Sequence, residues 1–317
     1  MGGYCGAMSD ASANPGTPDP VETRLRDALA QGDAVLGSVA PVLRHLLASD
    51  DSGLFGDAIL ARVRGMIADI ARQLGEHLRA AGGEVANPAA LTAAITGNPA
   101  LLTHVHALVL EWHLTELLQA RLALDPVLSP LLQALIASPD ETTAAHAMKF
   151  LAAQARFGRA QRRMRLPLAE LPGDLLHAAL MALHGVVHTQ PDATACAAAE
   201  MAIREAYDEG RSRLGLAARL VTGMGGGAVA ALSLHHAGAA LFLSALATAS
   251  GQDRDLAALA TSETQRTRFA LALCAAGLKP AAIEEQLLLL DPDAVPPEGL
   301  DRLAPERAGA LLAMAGR

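Results

Sequence analysis

The sequence predicts an all-α protein, and three observations support this fold class. Hydrophobic residues make up 51% of the chain, with Ala and Leu dominant, whereas aromatic residues make up only 3%. Ala and Leu favour helices, and the β-branched and aromatic residues that favour strands are scarce. Apolar residues recur at helical spacing, and no stretch alternates with a period of two. We therefore expect an irregular multi-helix bundle or a stack of helical hairpins.

The most apolar stretch, residues 220–252, contains no Asp, Glu, Lys or Arg. Its second half, residues 228–250, is almost entirely apolar and carries His235 and His236. A helix that is hydrophobic all round lies either inside a helical domain or in a membrane. The two histidines and the lack of aromatic belts argue against a membrane span. We expect this segment to be a buried central helix, with a single-span membrane protein as the alternative.

The N-terminal part begins with a segment unlike the rest. Residues 1–20 are rich in Gly, Ser and Pro and lack the features of a secretory signal, which predicts a disordered tail. Short helices are predicted over 21–31 and 39–48. A long amphipathic helix follows from Phe55 and ends before Gly82.

Polar residues next to prolines mark the next helix starts, because a polar cap and a proline in the first turn are typical of helix N-termini. These starts are Asn98-Pro99, Asp125-Pro126 and the segment 138–141. The C-terminal part continues with predicted helices over 174–188, 192–214, 262–276 and 280–290, and from Pro305.

Pro167 and Pro172 interrupt the helical pattern, since proline lacks an N–H donor and restricts the residue before it. The segment 166–173 is short and apolar, so we expect an ordered elbow and not a free linker. It separates a predicted N-terminal helical half, 21–165, from a C-terminal half, 174–317.

Two pairs of predicted helices form hairpins. Residues 122–136 precede 140–157, and residues 262–276 precede 280–290. Their Asp-Pro starts and short polar turns resemble those of HEAT-like helical repeats. No fixed period runs through the chain, so the resemblance implies an architecture and no site.

Charge and cysteine usage restrict the class of protein. The net charge of −8 argues against a protein that coats nucleic acid. Cys5, Cys196 and Cys274 are odd in number and far apart, which predicts neither a disulfide framework nor a thiolate metal site. A reducing cytoplasm is the expected location. The scarcity of Lys relative to Arg indicates a bacterial type of composition bias.

The best candidate for a binding surface is a run of arginines before the elbow. No acidic residue occurs between Glu141 and Glu170, whereas arginines are concentrated there: Arg156, Arg159, Arg162, Arg163 and Arg165. The guanidinium fork suits carboxylates and phosphates, although charge runs are often only solvated faces. We predict a non-enzymatic scaffold or regulatory protein that binds another macromolecule here. A protein partner is favoured over an anionic ligand or nucleic acid.

Histidines supply the alternative, a metal- or cofactor-dependent enzyme built on a helical bundle. One candidate metal site consists of residues on one helical face: Asp174, His177, His184 and His188. A second candidate is an inner polar cluster, which requires several helices to face one another: His106, His113, His235 and His236. No nucleophilic Ser-His-Asp or Cys-His arrangement is recognisable, so we assign no catalytic residue and no cofactor beyond a metal.

Limited proteolysis tests the predicted elbow. We expect a protease of broad specificity to cut first within 1–20 and at 291–297, because these segments are predicted to lie outside helices. The bonds after Arg156 to Arg165 should resist trypsin, as in folded helix. Rapid cleavage there, giving two stable halves that separate on a sizing column, would contradict the ordered elbow.

Overall fold

A computed structural model describes residues 20–48, 58–187 and 190–315, and these residues contain fourteen α-helices, five short 3-10 helices and no strand. The all-α prediction is confirmed. The α-helices are α1 (Pro20–Ala48), α2 (Ala58–Ala80), α3 (Pro88–Thr96), α4 (Pro99–Leu122), α5 (Pro130–Ile136), α6 (Glu141–Arg162), α7 (Gly173–Val186), α8 (Gln190–Ala206), α9 (Arg213–Gly223), α10 (Leu234–Ser250), α11 (Arg254–Leu259), α12 (Arg266–Ala275), α13 (Pro280–Leu290) and α14 (Pro305–Ala315). The 3-10 helices are Leu168–Glu170, Glu209–Arg211, Gly225–Leu232, Glu263–Gln265 and Leu300–Arg302. The predicted tail lies outside the described residues except for Pro20.

Local capping explains the helix starts that were predicted correctly. The side chain of Asn98 accepts a hydrogen bond from the Leu101 N–H at the start of α4 (3.0 Å). The Asp140 carboxylate accepts one from the Thr143 N–H at the start of α6 (2.8 Å). Each cap satisfies an N–H that has no partner within its own helix.

The start predicted at Asp125-Pro126 is wrong. The Asp125 carboxylate accepts hydrogen bonds from the N–H groups of Val127 and Leu128, and so it closes a turn. Ser129 caps α5 instead, four residues later, with proline at the first helical position. Both sites carry a polar residue followed by proline, and the local pattern does not distinguish them.

Other boundaries also differ from the prediction. α1 is one helix and not two, because packing against α4 and α12 continues it through Pro41. α3 was not predicted. The helix expected over 192–214 ends at Ala206, and a 3-10 helix separates it from α9.

The apolar segment 228–250 is not one continuous helix. Its first residues belong to the 3-10 helix Gly225–Leu232, and α10 is interrupted at Gly238, where φ is +70° and ψ is 166°. A Cβ atom on Gly238 would lie 3.2 Å from the Cβ of Ser129, so both the backbone angles and the close approach require glycine. From Ala239 to Ala247 the helix is buried at every position, as expected of a central apolar helix.

Among the described helices, none is by itself both long and apolar enough to cross a membrane. Two bent pairs meet the criteria only when combined: α3 with α4, bent by 82°, and α9 with the 3-10 helix Gly225–Leu232, bent by 118°.

Two hydrophobic clusters form the core, and α4 belongs to both. Leu110, Leu114 and Leu118 of α4 pack in the larger cluster, with residues of α1, α5, α6 and α9 to α14. Leu101, Val105 and Leu108 are among the α4 residues in the smaller cluster, with residues of α2, α3, α7 and α8. A helix that packs in both clusters needs apolar residues on more than one side, and the leucines and valines of residues 101–118 supply them.

The elbow segment packs into the smaller cluster. Leu166, Leu168 and Leu171 are buried, and Gln73 of α2 joins the segment by donating to the Leu166 carbonyl (2.8 Å) and accepting from the Leu168 N–H (3.1 Å). Residues of both predicted halves contribute to each cluster. The division into halves stays a prediction.

Replacement of Gly65 in α2 tests the close contact that holds the turn after α6. A Cβ atom at Gly65 would lie 2.5 Å from the Cβ and 3.0 Å from the carbonyl oxygen of Met164, whose φ is +53°. We expect Gly65→Ala to destabilise the fold by about 1–2 kcal/mol, because overpacking outweighs the helix propensity gained. Gly37→Ala in α1 is the control, because a Cβ there meets no atom within 4 Å. Urea denaturation should show the control unchanged or more stable, and a stabilised Gly65→Ala variant would contradict the contact.

Candidate functional sites

The predicted arginine run forms an exposed basic face. The five arginines of the run are exposed, and they lie at the C-terminal end of α6 and in the turn after it: Arg156, Arg159, Arg162, Arg163 and Arg165. Arg165 lies 4.0 Å from Asp69, and the Arg162 guanidinium lies 5.9 Å from the Trp112 ring centroid. The other three form no ion pair with any described residue. We call this set the arginine face.

Buried residues on the opposite side of α6 orient this face. Phe157 and Gln161 are buried, and the ring of Phe157 meets Trp112 of α4 edge-on at 6.2 Å. Gly158 completes the contact, since a Cβ there would lie 3.4 Å from the Trp112 ring. With these residues directed inward, the helical period places Arg156, Arg159 and Arg163 outward.

A cleft of about 400 Å³ adjoins the arginine face. Arg156 and Arg211 line it together with an apolar group: Phe157, Ala160, Pro167 and Ala169. Aromatic and aliphatic lining with a few charged groups is the usual composition of a recognition site. The cleft therefore combines an apolar floor with charged side chains, two basic and two acidic.

The two acidic residues that line the cleft are bound to backbone. Glu170 accepts a hydrogen bond from the Arg213 N–H (2.8 Å), and burial raises the pKa of its carboxyl above the ordinary value. Asp208 accepts one from the Gly210 N–H (3.0 Å). Both acids accept hydrogen bonds from the backbone, and the charge of Arg156 also acts on Glu170, where it offsets part of the effect of burial on the pKa.

Beneath the cleft lies a buried charge cluster that the sequence did not predict. The carboxylate of Glu111, in the middle of α4, accepts hydrogen bonds from Arg213 Nη2 (2.9 Å) and Arg254 Nη2 (3.0 Å). Arg213 and Arg254 are the first residues of α9 and α11. The Arg213 guanidinium also lies 3.7 Å from the ring centroid of Phe157, in cation–π geometry.

Electrostatics decide the protonation of this cluster. Burial alone would raise the pKa of Glu111, but the charges and hydrogen bonds of Arg213 and Arg254 outweigh it and lower this pKa to about 2. Glu111 is therefore ionised at neutral pH, and the cluster carries a net positive charge. Arg213 Nε and Arg254 Nη1 are buried without a hydrogen-bond partner, so the cluster is not fully satisfied.

Two histidines of the predicted metal site on α7 form hydrogen bonds with side chains of α8. His177 Nδ1 accepts a hydrogen bond from Arg204 Nη2 (2.9 Å), and His184 Nε2 donates to Glu200 (2.7 Å). Asp174 is exposed at the start of α7. These partners on α8 have no signal in the sequence, because the spacing of histidines on one helix says nothing about the helix that packs beside it.

A Cys–His–Glu arrangement is present, although none was recognised in the sequence. His184 Nδ1 lies 3.5 Å from Cys196 Sγ, while the other ring nitrogen bonds to Glu200. Cys196 is completely buried, and burial, together with the Glu200 charge, raises the pKa of its thiol. A neutral, inaccessible thiol is a poor nucleophile, so we assign this group a structural role.

Metal binding by the predicted set on α7 stays a prediction. Among the described residues, no three His, Cys, Asp or Glu side chains are arranged to hold a metal ion. His188, the fourth member of the predicted set, lies outside the described residues.

The other four histidines lie in separate surroundings. His106 and His113, on α4, line two different cavities. His235 is exposed and lies near Ser233 (3.0 Å) and Glu285 (3.5 Å), and His236 is half-buried beside it. The described structure does not bring these residues into one inner cluster, because α4 and the start of α10 direct them to different places.

Comparisons with protein-family models, with curated proteins and with solved structures found no match. Function is therefore inferred from the chemistry of the sites themselves.

Acid titration tests the Glu111 cluster. The folded pKa lies below the ordinary value of 4.5, so the carboxylate stabilises the fold at higher pH, and this contribution is lost as the pH falls toward about 2. Its size at neutral pH is about 3 kcal/mol. We expect urea denaturation to show that Glu111→Gln costs about 3–5 kcal/mol at neutral pH, with the difference from wild type shrinking below pH 4.5.

Glu76→Gln is the matched control, since Glu76 forms an exposed ion pair with Arg72 at adjacent turns of α2. This substitution should change the free energy of unfolding by less than about 1 kcal/mol. Equal effects of the two substitutions, or a Glu111→Gln effect that does not depend on pH, would contradict the assigned role.

Proposed function

We propose that this protein is a non-enzymatic helical scaffold or regulatory protein that binds an acidic segment of another protein on the arginine face. The observation that carries the proposal is the combination of Arg156, Arg159 and Arg163, exposed and without ion pairs to described residues, with the adjoining apolar cleft. Each feature alone is common at a protein surface, and their adjacency favours recognition.

Helix electrostatics account for only part of the arginine face. Arg159 and Arg162 occupy the last turn of α6, where cations interact favourably with the helix dipole. Arg163 and Arg165 lie beyond the helix, and Arg156 lies before its last turn. In a chain with a net charge of −8, this local concentration of exposed cations favours an anionic partner.

The cleft favours a peptide over a simple anion. Carboxylates of the partner would pair with Arg156 and Arg211, and an apolar side chain would cover Ala160 and Pro167. Interfaces commonly combine an apolar centre with a charged rim. Aromatic platforms for stacked bases are not exposed at this surface, since Phe157 is buried, and this supports a protein partner over single-stranded nucleic acid.

The remaining sequence-based expectations belong to the same proposal. α5 packs on α6, and α12 on α13, each pair joined by a short turn, which is compatible with a HEAT-like stack of helical hairpins. Scaffolds of that kind bind partners along helix faces. A cytoplasmic location fits the expected reducing environment of the cysteines.

Charge reversal on the arginine face tests the proposal. The probe is a fluorescent peptide of glutamates with one central leucine, and its binding is measured by fluorescence anisotropy at low salt. We expect Arg156→Glu, Arg159→Glu and Arg163→Glu together to weaken binding at least tenfold, about 1.4 kcal/mol or more, through loss of attraction and added repulsion. Added salt should weaken wild-type binding because the contact is exposed.

The control variant carries the same charge change on other exposed arginines: Arg26→Glu, Arg44→Glu and Arg79→Glu. It should bind the peptide as tightly as the wild type, apart from a small effect of net charge. Replacing the central leucine of the peptide by serine should weaken wild-type binding if the apolar floor is used. Equal losses in both variants, or unchanged binding of the peptide by the charge-reversed variant at low salt, would reject the arginine face as the interface.

A further inference from the structure

A second cavity, which shares no residue with the arginine face, contains a buried arginine whose N–H groups are only partly hydrogen-bonded. This cavity measures about 330 Å³ and is lined by residues of α1, α4, α11, α12 and α14. Arg268 of α12 contributes to its wall although only 2% of its surface is exposed to solvent. None of the residues that line it belongs to α6 or to the arginine face.

The pairing of Arg268 leaves donors unused. Its Nη2 donates to the carboxylate of Asp33 on α1. Its Nε and Nη1 are buried and have no hydrogen-bond partner. A buried donor without a partner costs about 1–3 kcal/mol, so such groups in proteins nearly always have an acceptor, supplied by the protein, an ordered water or a bound molecule.

The rest of the cavity wall is chiefly aliphatic. Its apolar lining comes mainly from α1 and α11 and includes Leu36, Val39, Leu43, Leu256 and Leu259. Among the described residues of the wall, the polar side chains besides Asp33 and Arg268 are those of Thr103 and His106 of α4. An apolar cavity at the lower end of the roughly 300–1,000 Å³ range, with few polar groups at one place, is typical of small-molecule sites.

Charge balance at Arg268 indicates what kind of molecule fits. Asp33 already neutralises the guanidinium, and Asp255, beside Leu256, is held by His104 Nδ1 (2.8 Å). A second carboxylate entering the cavity would therefore meet repulsion from Asp33 without an uncompensated cation to offset it. The unused N–H groups require an acceptor, and the aliphatic wall requires apolar surface.

We propose that this cavity binds a small, uncharged, largely apolar molecule whose carbonyl oxygen accepts a hydrogen bond from Arg268. A ketone, ester or amide group meets this description. The site is independent of the proposed partner-binding surface, because the two share no residue.

Fluorescence titration of the full chain tests the site. The probe is propionyl-dimethylaminonaphthalene, an uncharged aryl ketone whose emission shifts to the blue in apolar surroundings. Dimethylaminonaphthalene, which lacks the carbonyl group, and dimethylaminonaphthoate, which replaces it by a carboxylate, are the matched probes. We expect saturable binding of the ketone with a blue shift, and binding of each matched probe that is about tenfold weaker.

Two variants locate the binding. Gly37 lies exposed at the rim of the cavity, and a Cβ there meets no atom within 4 Å, so Gly37→Phe should obstruct entry without disturbing the core. Gly37→Ala is its control and should bind the ketone as the wild type does. Arg268→Lys keeps the ion pair with Asp33 but removes the Nε and Nη1 donors, and should weaken ketone binding about tenfold.

Each result decides the proposal. Loss of ketone binding in Gly37→Phe, with weakened binding in Arg268→Lys and thermal midpoints near that of the wild type, supports it. Absence of saturable ketone binding overturns it, and so does binding that both variants leave unchanged. Equal affinity for the ketone and the probe without the carbonyl group also overturns it, since Arg268 would then take no part.

Discussion

The ionised carboxylate of Glu111 is the constraint on which the arrangement of the helices depends. A buried charge is costly unless oppositely charged groups are fixed beside it, and here Arg213 and Arg254 provide them. The two arginines begin α9 and α11, while the carboxylate belongs to α4. The positions of three helices distant in sequence are thereby tied to one pair of oxygen atoms.

The same cluster connects the core to the surface. Arg213 lies over the ring of Phe157 and so fixes the inner side of α6. Because a helix is rigid over a few turns, fixing its inner side also determines which residues face solvent. The orientation of Arg156, Arg159 and Arg163 therefore follows from a contact made by a residue that is itself buried.

What the sequence predicted well was determined locally. Helical composition defines the fold class, and capping by Asn98 and Asp140 defines helix starts, because each effect acts within one turn. The helical spacing also places Arg156, Arg159 and Arg163 on one face, although a contact with a distant residue decides that this face is the exposed one. The partners that complete each site do not follow from a local pattern.

The omissions at the sites have a common physical cause, which is contact between residues far apart in the chain. Glu111 and Arg213 are separated by 102 positions, and Asp33 and Arg268 by 235. Gly238 interrupts α10 where Ser129 approaches it, and the residues around Gly238 give no basis for predicting that contact. A lone Glu111 within the apolar run of α4 was the one available signal of the buried cluster, since an isolated charge there needs a distant partner.

The position of α4 in both hydrophobic clusters has a consequence for synthesis of the chain. Its smaller-cluster face can be covered in part by α2 and α3, which precede or adjoin it. The other face is covered largely by helices from α9 onward, which leave the ribosome more than ninety residues later, given the start of α9 at residue 213 and the end of α4 at residue 122. During that interval a row of leucines is exposed on a nascent chain, so premature termination before α10 yields products prone to aggregate and dependent on chaperones.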